Sequence, residues 1–516
     1  MAFHRAKLRS NNEVVFVETN TRTRKMGVCL CSLLLFATGV AECAFSSQEQ
    51  RYQYLMPMGE NFPGYPPADA ERVSQTIHFA LQPEGLSQLR LHHPPEHWQS
   101  TGLYRVPGEP VRVTVRPAEG NRPDVMPKLR VGIHRLRKNV LDRVMSKFGG
   151  ANADDVSVSR RASRASHSFT LRQGEQQDSG LASGLIYMES SQTGTEAFEV
   201  TLAGAVRAPW FKIGRDSLIQ WQNDIRYYPA PWAELEGRHA ILTLPSAMIR
   251  QMADPTAIIA FYDQMVKDVQ NLIGLSENAE DERDRAPAVP WRFVLDPILS
   301  DTPFAAVSGY PVAINWVAYA NPYIWITPEM PIVRTTLLHE LGHNHEPVEK
   351  LFELPGTREV FAELMNYGYQ SSTGYRVIGI QKLKGLKAYT AKEILYAYLP
   401  LLSHLFHSYD SHIWGEDPYH GIAQKKAFMI NLVRHLSHEF IAELYSNFRH
   451  TPADQLPDKN NQQQKTDYFF EMLCDISRQD LTRFFQQWDV PVSQDACQRV
   501  AEKNYPMPPW SGHDEL

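Results

Sequence analysis

The 516-residue chain has only five cysteines, and three of them (Cys29, Cys31 and Cys43) crowd into its first 44 residues. A disulfide-dense scaffold is therefore excluded, because Cys474 and Cys497 are the one pair left in the body. In a chain read as exported, that pair is expected to form a single disulfide. Positive charge is not in excess either. The 52 Lys plus Arg against 58 Asp plus Glu leave a net charge of -6, which provides no electrostatic footprint for nucleic acid or an anionic membrane. Long apolar runs are scarce: Met26 to Ala41 falls short of the ~20 residues that span a bilayer. That run follows a basic stretch (Arg5, Lys7, Arg9, Arg22, Arg24, Lys25) and ends in the small residues Gly39 and Ala41, the shape of a signal peptide. Residues 1–44 are accordingly expected to be a leader, with export beyond the cytoplasm and no stable membrane span. There is no internal repeat and no heptad array.

With 43% apolar and 21% charged residues, the chain is globular and long enough for two or three domains. Residues 45–97 are polar and punctuated by prolines, an arm with one helix expected near Ala68 to Leu81. Over residues 98–218 the pattern shifts to strand alternation, as in Val111-Arg-Val-Thr-Val115 and Phe198-Glu-Val-Thr-Leu202, which predicts a β-sandwich. Ser146 to Ser183, rich in Ser, Arg, Gln and Asp, reads as a long exposed loop. Residues 219–516 begin with a strand at Ala240 to Leu244. Helices are then expected at Pro255 to Leu272, Ala391 to Ser408, Gln424 to Phe448 and Asp467 to Trp488. The expected fold class is α+β and multidomain: an N-terminal β-sandwich, then a domain with a mainly helical C-terminal half whose zincin type is expected from His339-Glu340-Leu341-Gly342-His343.

The most informative stretch is Thr335-Thr-Leu-Leu-His-Glu-Leu-Gly-His-Asn-His-Glu346, which contains His339-Glu340-Leu341-Gly342-His343. Residues i and i+4 of a helix share a face, so both imidazoles can hold one zinc ion, while Glu340 stands beside it as a base for an activated water. Leu337, Leu338 and Leu341 supply the buried sides of such a helix, and Pro347 ends it. A second helix, Arg358 to Gln370, carries acids at helical spacing, Glu359 and Glu363. Glu359 is favoured as third ligand, with Glu363 then accepting a hydrogen bond from a ligand imidazole; the reverse assignment stays open. A metzincin is excluded, because Glu346 and Glu349 stand where that class needs Gly and His. Glu346 is about 10.5 Å along the axis from His339 at 1.5 Å per residue, too far to share one tetrahedral site. His345 is expected at the surface.

These residues resemble the enhancin-like gluzincin metallopeptidases of peptidase family M sixty. The likeness extends to Ala230-Pro-Trp-Ala-Glu-Leu-Glu-Gly237, Leu242-Thr-Leu-Pro-Ser246, Ser308-Gly-Tyr-Pro311 and Asp480-Leu-Thr-Arg-Phe-Phe-Gln-Gln-Trp488. Thr101-Gly-Leu-Tyr104, Gly184-Leu-Ile-Tyr187 and Ala208-Pro-Trp210 are similar to the β-sandwich that precedes the peptidase domain. The resemblance implies a zinc endopeptidase acting on extracellular, mucin-like glycoproteins, with one Zn2+ held by His339, His343 and Glu359. Glu363 departs from the asparagine of many members. Tyr310, Tyr367, His412 and His420 are candidate donors to the oxyanion of the tetrahedral intermediate. The competing expectation is a glycoprotein-binding module of the same fold, because some relatives are binding partners and fold alone does not establish hydrolysis.

Overall fold

The computed structural model describes residues 8–10, 13–15, 62–82, 85–122, 124–134, 166–178, 180, 182–296, 299, 306–315, 325–327, 331–374, 414 and 422–510. Two units result. In the first, Leu8–Ser10 (β1) pairs antiparallel with Glu13–Val15 (β2). The rest belongs to the second.

The second unit opens with an eight-stranded antiparallel arrangement. Its strands are Val73–Ala80 (β3), His97–Arg105 (β4), Val111–Pro117 (β5), Lys128–Val131 (β6), His167–Thr170 (β7), Gly174–Asp178 (β8), Gly184–Ser190 (β9) and Ala197–Arg207 (β10). The order is β7-β6-β9-β4-β10-β5-β8, with β3 also paired to β10. The long β10 serves both halves: Ala197 to Ala203 lie against β3 and β5, whereas Val206 and Arg207 lie against β4. The register shifts at Gly204, which has φ +100° and where a Cβ would stand 3.1 Å from the Pro110 carbonyl, so the irregularity falls where a side chain would be strained. Val113, Val200 and Leu202 of one half and Leu129, Ile186 and Met188 of the other bury into one apolar cluster. The alternation in Val111 to Val115 is borne out, since every second residue faces this core.

Two expectations fail here. Ala68 to Leu81 supplies β3 and not a helix, because Val73, Ile77 and Phe79 are buried when Ser74, Thr76, His78 and Ala80 turn outward against β10. The β-rich region thus begins upstream of residue 98. Part of the expected loop at 146–183 likewise forms β7 and β8, each closing an edge of this sheet.

A second sheet follows, made of Trp210–Lys212 (β11), Trp232–Glu236 (β12), Ala240–Pro245 (β13), Trp291–Asp296 (β14), Ala306–Val307 (β15) and Val312–Asn315 (β16), in the order β11-β12-β13-β14-β16-β15. Short helices Leu218–Asn223 (α1) and Ser246–Ile249 (α2) flank β12 and β13. Helix Thr256–Leu272 (α3) crosses between the parallel strands β13 and β14, burying Ile258, Ile259, Tyr262, Met265, Val266 and Val269. The edge strand β15 runs antiparallel to β16.

The described residues from Pro331 onward are helical: Pro331–His345 (α4), Arg358–Thr373 (α5), Ile422–Leu436 (α6), Glu439–His450 (α7), Gln462–Ser477 (α8), Thr482–Gln487 (α9) and Gln494–Glu502 (α10). The expected helix Gln424 to Phe448 is broken at Ser437, and that at Asp467 to Trp488 at Arg478; both residues have positive φ. Ala391 to Ser408 lies outside the described residues. The expected disulfide is overturned. Cys474 is buried in the core face of α8 and Cys497 on α10 is hydrogen-bonded to Thr482, and both thiols are free.

The contact that positions the site is the close packing of α4 on α5. It depends on Gly342, whose absent Cβ leaves room for the Ala362 backbone: a methyl there would press on the Ala362 carbonyl and stand 2.9 Å from its Cα. Gly342→Ala is therefore expected to cost about 1–3 kcal/mol of stability, because neither helix backbone can yield. Denaturant unfolding should show the loss, together with weakened metal retention; an unchanged midpoint would contradict this packing.

Candidate metal centre

Helix α4 begins at Pro331, whose missing N–H would have no partner in a first turn anyway, and ends at His345, just before Pro347. His339 and His343 lie one turn apart with ring centroids 4.7 Å from each other and planes at 87°. Helix α5 contributes Glu359 from its first turn. The Glu359 Oε2 atom stands 3.4 Å from His339 Nε2 and 3.5 Å from His343 Nε2. One donor atom from each of the three residues lies within 4.8 Å of the others. With bonds of about 2.0–2.1 Å, the donors of a tetrahedral zinc site stand roughly 3.3–3.5 Å apart, so both Glu359 distances fit a zinc ion, as does the donor type of all three residues.

The outward faces of both imidazoles are held. His343 Nδ1 lies 2.8 Å from Glu346 Oε1 in a buried contact, which sets the tautomer that presents Nε2 to Glu359. His339 Nδ1 lies 3.4 Å from Glu363 Oε1. Glu363 is in turn held by Lys426 Nζ at 3.1 Å and Asn366 Nδ2 at 3.1 Å, and Asn366 accepts from Gln370 at 3.0 Å. Sequence reasoning set Glu346 aside as a ligand and missed its contact with His343 Nδ1. The available signal was its i+3 spacing from His343.

The electrostatics follow from this crowding. Burial disfavours a charged His339, yet the Glu359 and Glu363 carboxylates outweigh it and hold the imidazole up at about 10. His343 is likewise disfavoured by burial but raised to about 9 by Glu346 and Glu359. Burial pushes Glu359 and Glu363 upward, and the facing imidazoles, joined at Glu363 by Lys426, bring both well below the usual carboxylate range. Glu340 is raised by burial against the pull of both imidazoles, and the Ser308 backbone amide hydrogen-bonds its carboxylate.

Asn344, fully buried beside these ligands, clamps the loop that carries Ser308. Its Oδ1 accepts from Gly309 N at 2.6 Å and its Nδ2 donates to Gly309 O at 3.0 Å. The segment at 90–93 closes the C-terminal end of α4. His92 N donates to Glu346 O at 2.7 Å, His93 N to Asn344 O at 3.1 Å, and Val348 N to Arg90 O at 2.7 Å, which satisfies carbonyls a helix end leaves orphaned.

The other candidates fare differently. Tyr310 is corrected: its hydroxyl donates to Pro290 O at 3.2 Å and its ring packs edge-on to Trp98, so it is not directed at His339, His343 and Glu359. Tyr367 lies on α5 one turn beyond Glu363, half-buried, with burial and then the Glu363 charge pushing its hydroxyl well above its ordinary range. His412 and His420 lie outside the described residues. His345 is corrected from surface to core: it is fully buried, its Nδ1 is 2.7 Å from Leu341 O, and its ring lies 4.9 Å from Trp291.

Residues 204–489 match the family model of peptidase M60, enhancin and enhancin-like, and residues 87–203 match that of the N-terminal domain of M60-like peptidases. The chain is 25% identical to TRPM8 channel-associated factor 3 of Rattus norvegicus over 432 residues, covering 80% of this chain and 40% of that protein. The chain thus spans well under half the length of this relative. Among solved structures, the catalytic module of the metalloprotease ZmpA from Clostridium perfringens aligns with TM-score 0.57 at 15% identity, over 84% of this chain and 79% of that one. IMPa from Pseudomonas aeruginosa, in complex with an O-glycopeptide, aligns with TM-score 0.57 at 14% identity, over 89% and 53%.

Two outcomes are expected. Glu346→Gln should lower zinc affinity about 10- to 100-fold in a competition with a chromophoric chelator, with circular dichroism unchanged. His345, held down to about 4 by burial against an ordinary value of 6.5, refuses a proton that the unfolded chain accepts. Its contribution to stability is full above pH ~6.5 and declines as the pH falls toward 4. Unfolding curves at pH 7 and pH 5 should show His345→Gln losing about 2 kcal/mol less than the parent over that interval. Equal losses would refute it.

Proposed function

Because the chain belongs to the peptidase M60 family, enhancin and enhancin-like, we propose that it is a secreted zinc-dependent endopeptidase that hydrolyses extracellular, mucin-like glycoproteins. The observation that carries this reading is the convergence of His339, His343 and Glu359 with Glu340 standing next to them on α4. The O-glycopeptide bound to IMPa supports the substrate class, and the signal-peptide shape of the first 44 residues supports export.

Zinc held by His339, His343 and Glu359 would polarise the scissile carbonyl and bring the pKa of a water from 15.7 to about 7. Glu340, next to His339 on α4, would take a proton from the attacking water at its carboxylate and return it to the leaving amine. The Ser308 amide, held in place by the Asn344 clamp on Gly309, orients this carboxylate. Glu346 and Glu363 keep the two imidazoles turned with Nε2 inward. The Tyr367 hydroxyl is the remaining described candidate to donate to the oxyanion. Among the described residues β15 pairs only with β16, so its outer edge is available for an extended substrate to add as a further strand beside Glu340.

A second reading, a glycoprotein-binding module that does not cleave, is favoured by relatives named as channel-associated factors. Binding alone makes no use of a glutamate at position 340. Mucin incubated with the protein should be fragmented, and chelation or Glu340→Gln should abolish fragmentation, with Glu340→Gln keeping its zinc by elemental analysis. An intact mucin that co-elutes with the parent protein would instead establish the binding module.

A further inference from the structure

A cavity of about 520 Å3 lies away from the ligand residues, where β4, β6, β7 and β9 of the first sheet meet the loop entering β14. Its size falls within the about 300–1,000 Å3 of small-molecule sites. It straddles the junction of the two family segments, since most of its lining precedes residue 204 and Ala288 and Val289 follow it.

The chemistry of the walls narrows the ligand. Arg130 and Glu189, each more than nine-tenths buried, form an ion pair at 2.6 Å in the wall, and Ser168 donates to the same carboxylate. The guanidinium carbon stands over the Trp98 ring, 4.1 Å from its centroid, with Nε taken by Glu189 and Nη1 3.5 Å from Ser166 Oγ. The paired charges neutralise each other, which disfavours a simple anion or cation. Hydroxyls, carboxamides such as that of Gln192, the His97 imidazole and the Glu96 carboxylate, which accepts from Trp98 Nε1 at 3.2 Å, make up the remaining polar lining, beside an apolar side at Val289. The Lys128 side chain makes no ion pair or hydrogen bond among the described residues. A dense set of donors and acceptors, balanced in charge and flanked by flat planar groups, suits a ligand with many hydroxyls on a compact ring. It suits a peptide amine poorly, because both described carboxylates of the lining already accept hydrogen bonds, Glu189 from Arg130 and Ser168 and Glu96 from Trp98 Nε1.

We propose that this junction cavity is a saccharide-binding site separate from the metal centre, with Arg130, Glu189 and Lys128 as its polar anchors. It stands independently of the peptidase reading, because nothing in its lining is a metal ligand. Trp98, its indole wall, also packs edge-on to Tyr310, which follows the Ser308-Gly309 pair clamped to α4.

The test is calorimetric titration of the full chain with lactose, N,N′-diacetylchitobiose, 3′-sialyllactose and tetraglycine. At least one saccharide is expected to bind saturably and tetraglycine not at all; a preference for 3′-sialyllactose would assign its carboxylate to Lys128. Ala288→Trp and Gln192→Trp, both at exposed positions on the rim, should each weaken binding at least tenfold while the far-UV spectrum stays unchanged. Chelation and Glu340→Gln should leave the affinity as it was, even where they abolish hydrolysis. The proposal is overturned if no saccharide binds, if tetraglycine binds in their place, if both tryptophan variants bind as the parent does, or if chelation removes binding.

Discussion

Four carboxylates, Glu340, Glu346, Glu359 and Glu363, face two imidazoles in a half-buried pocket, and among the described residues the Lys426 ammonium pairs with Glu363. That imbalance governs the site. Separating like charges from water is unfavourable, so the pocket must gather positive charge, either as protons on His339 and His343 or as a cation between them. The raised imidazoles and depressed carboxylates express the first state. A divalent ion held there would satisfy the same demand with both histidines neutral, so cation binding and pocket acidity would be two aspects of one electrostatic constraint.

The geometry that meets this constraint comes from backbone contact more than from side chains. Gly342 lets α5 approach α4 closely enough for Glu359 to reach the two Nε2 atoms. The end of α4 is then closed by backbone hydrogen bonds from residues 90–93, a segment with no ligand of its own. Further back, Arg292, fully buried, joins Glu234 on β12 to the Trp98 carbonyl and Ser100 hydroxyl on β4. Breaking such a pair would strand a buried charge, so the β-rich region and the second sheet are committed to one arrangement.

Membership in a peptidase family and the convergence of His339, His343 and Glu359 beside Glu340 bear on function in different ways. The fold is shared with proteins named for proteolysis and, through sequence, with proteins named for channel association, so it does not distinguish the two roles. The site residues do bear on it. Glu340 is held by the Ser308 amide on a loop that Asn344 clamps at both its donor and its acceptor, an arrangement suited to aiming a base.

The helix bearing His339 and His343, the acids of the next helix and the strands around Val111 and Val200 were legible from local periodicity, because 3.6-residue and two-residue repeats are properties of neighbouring residues. Periodicity misjudged Ala68 to Leu81, where pairing with β10 overrode a short apolar pattern readable either way, and it misjudged His345, whose burial against Trp291 comes from an element 50 residues upstream. The expected disulfide failed for the same reason: counting cysteines says nothing about whether α8 and α10 turn them toward each other. Residue order alone therefore specified which donors exist and how they are spaced along each helix. Which donors meet, which acid stands behind each imidazole and what the segment at 90–93 touches were decided by packing between distant elements, since contact at such separations depends on how whole helices and sheets bury their faces.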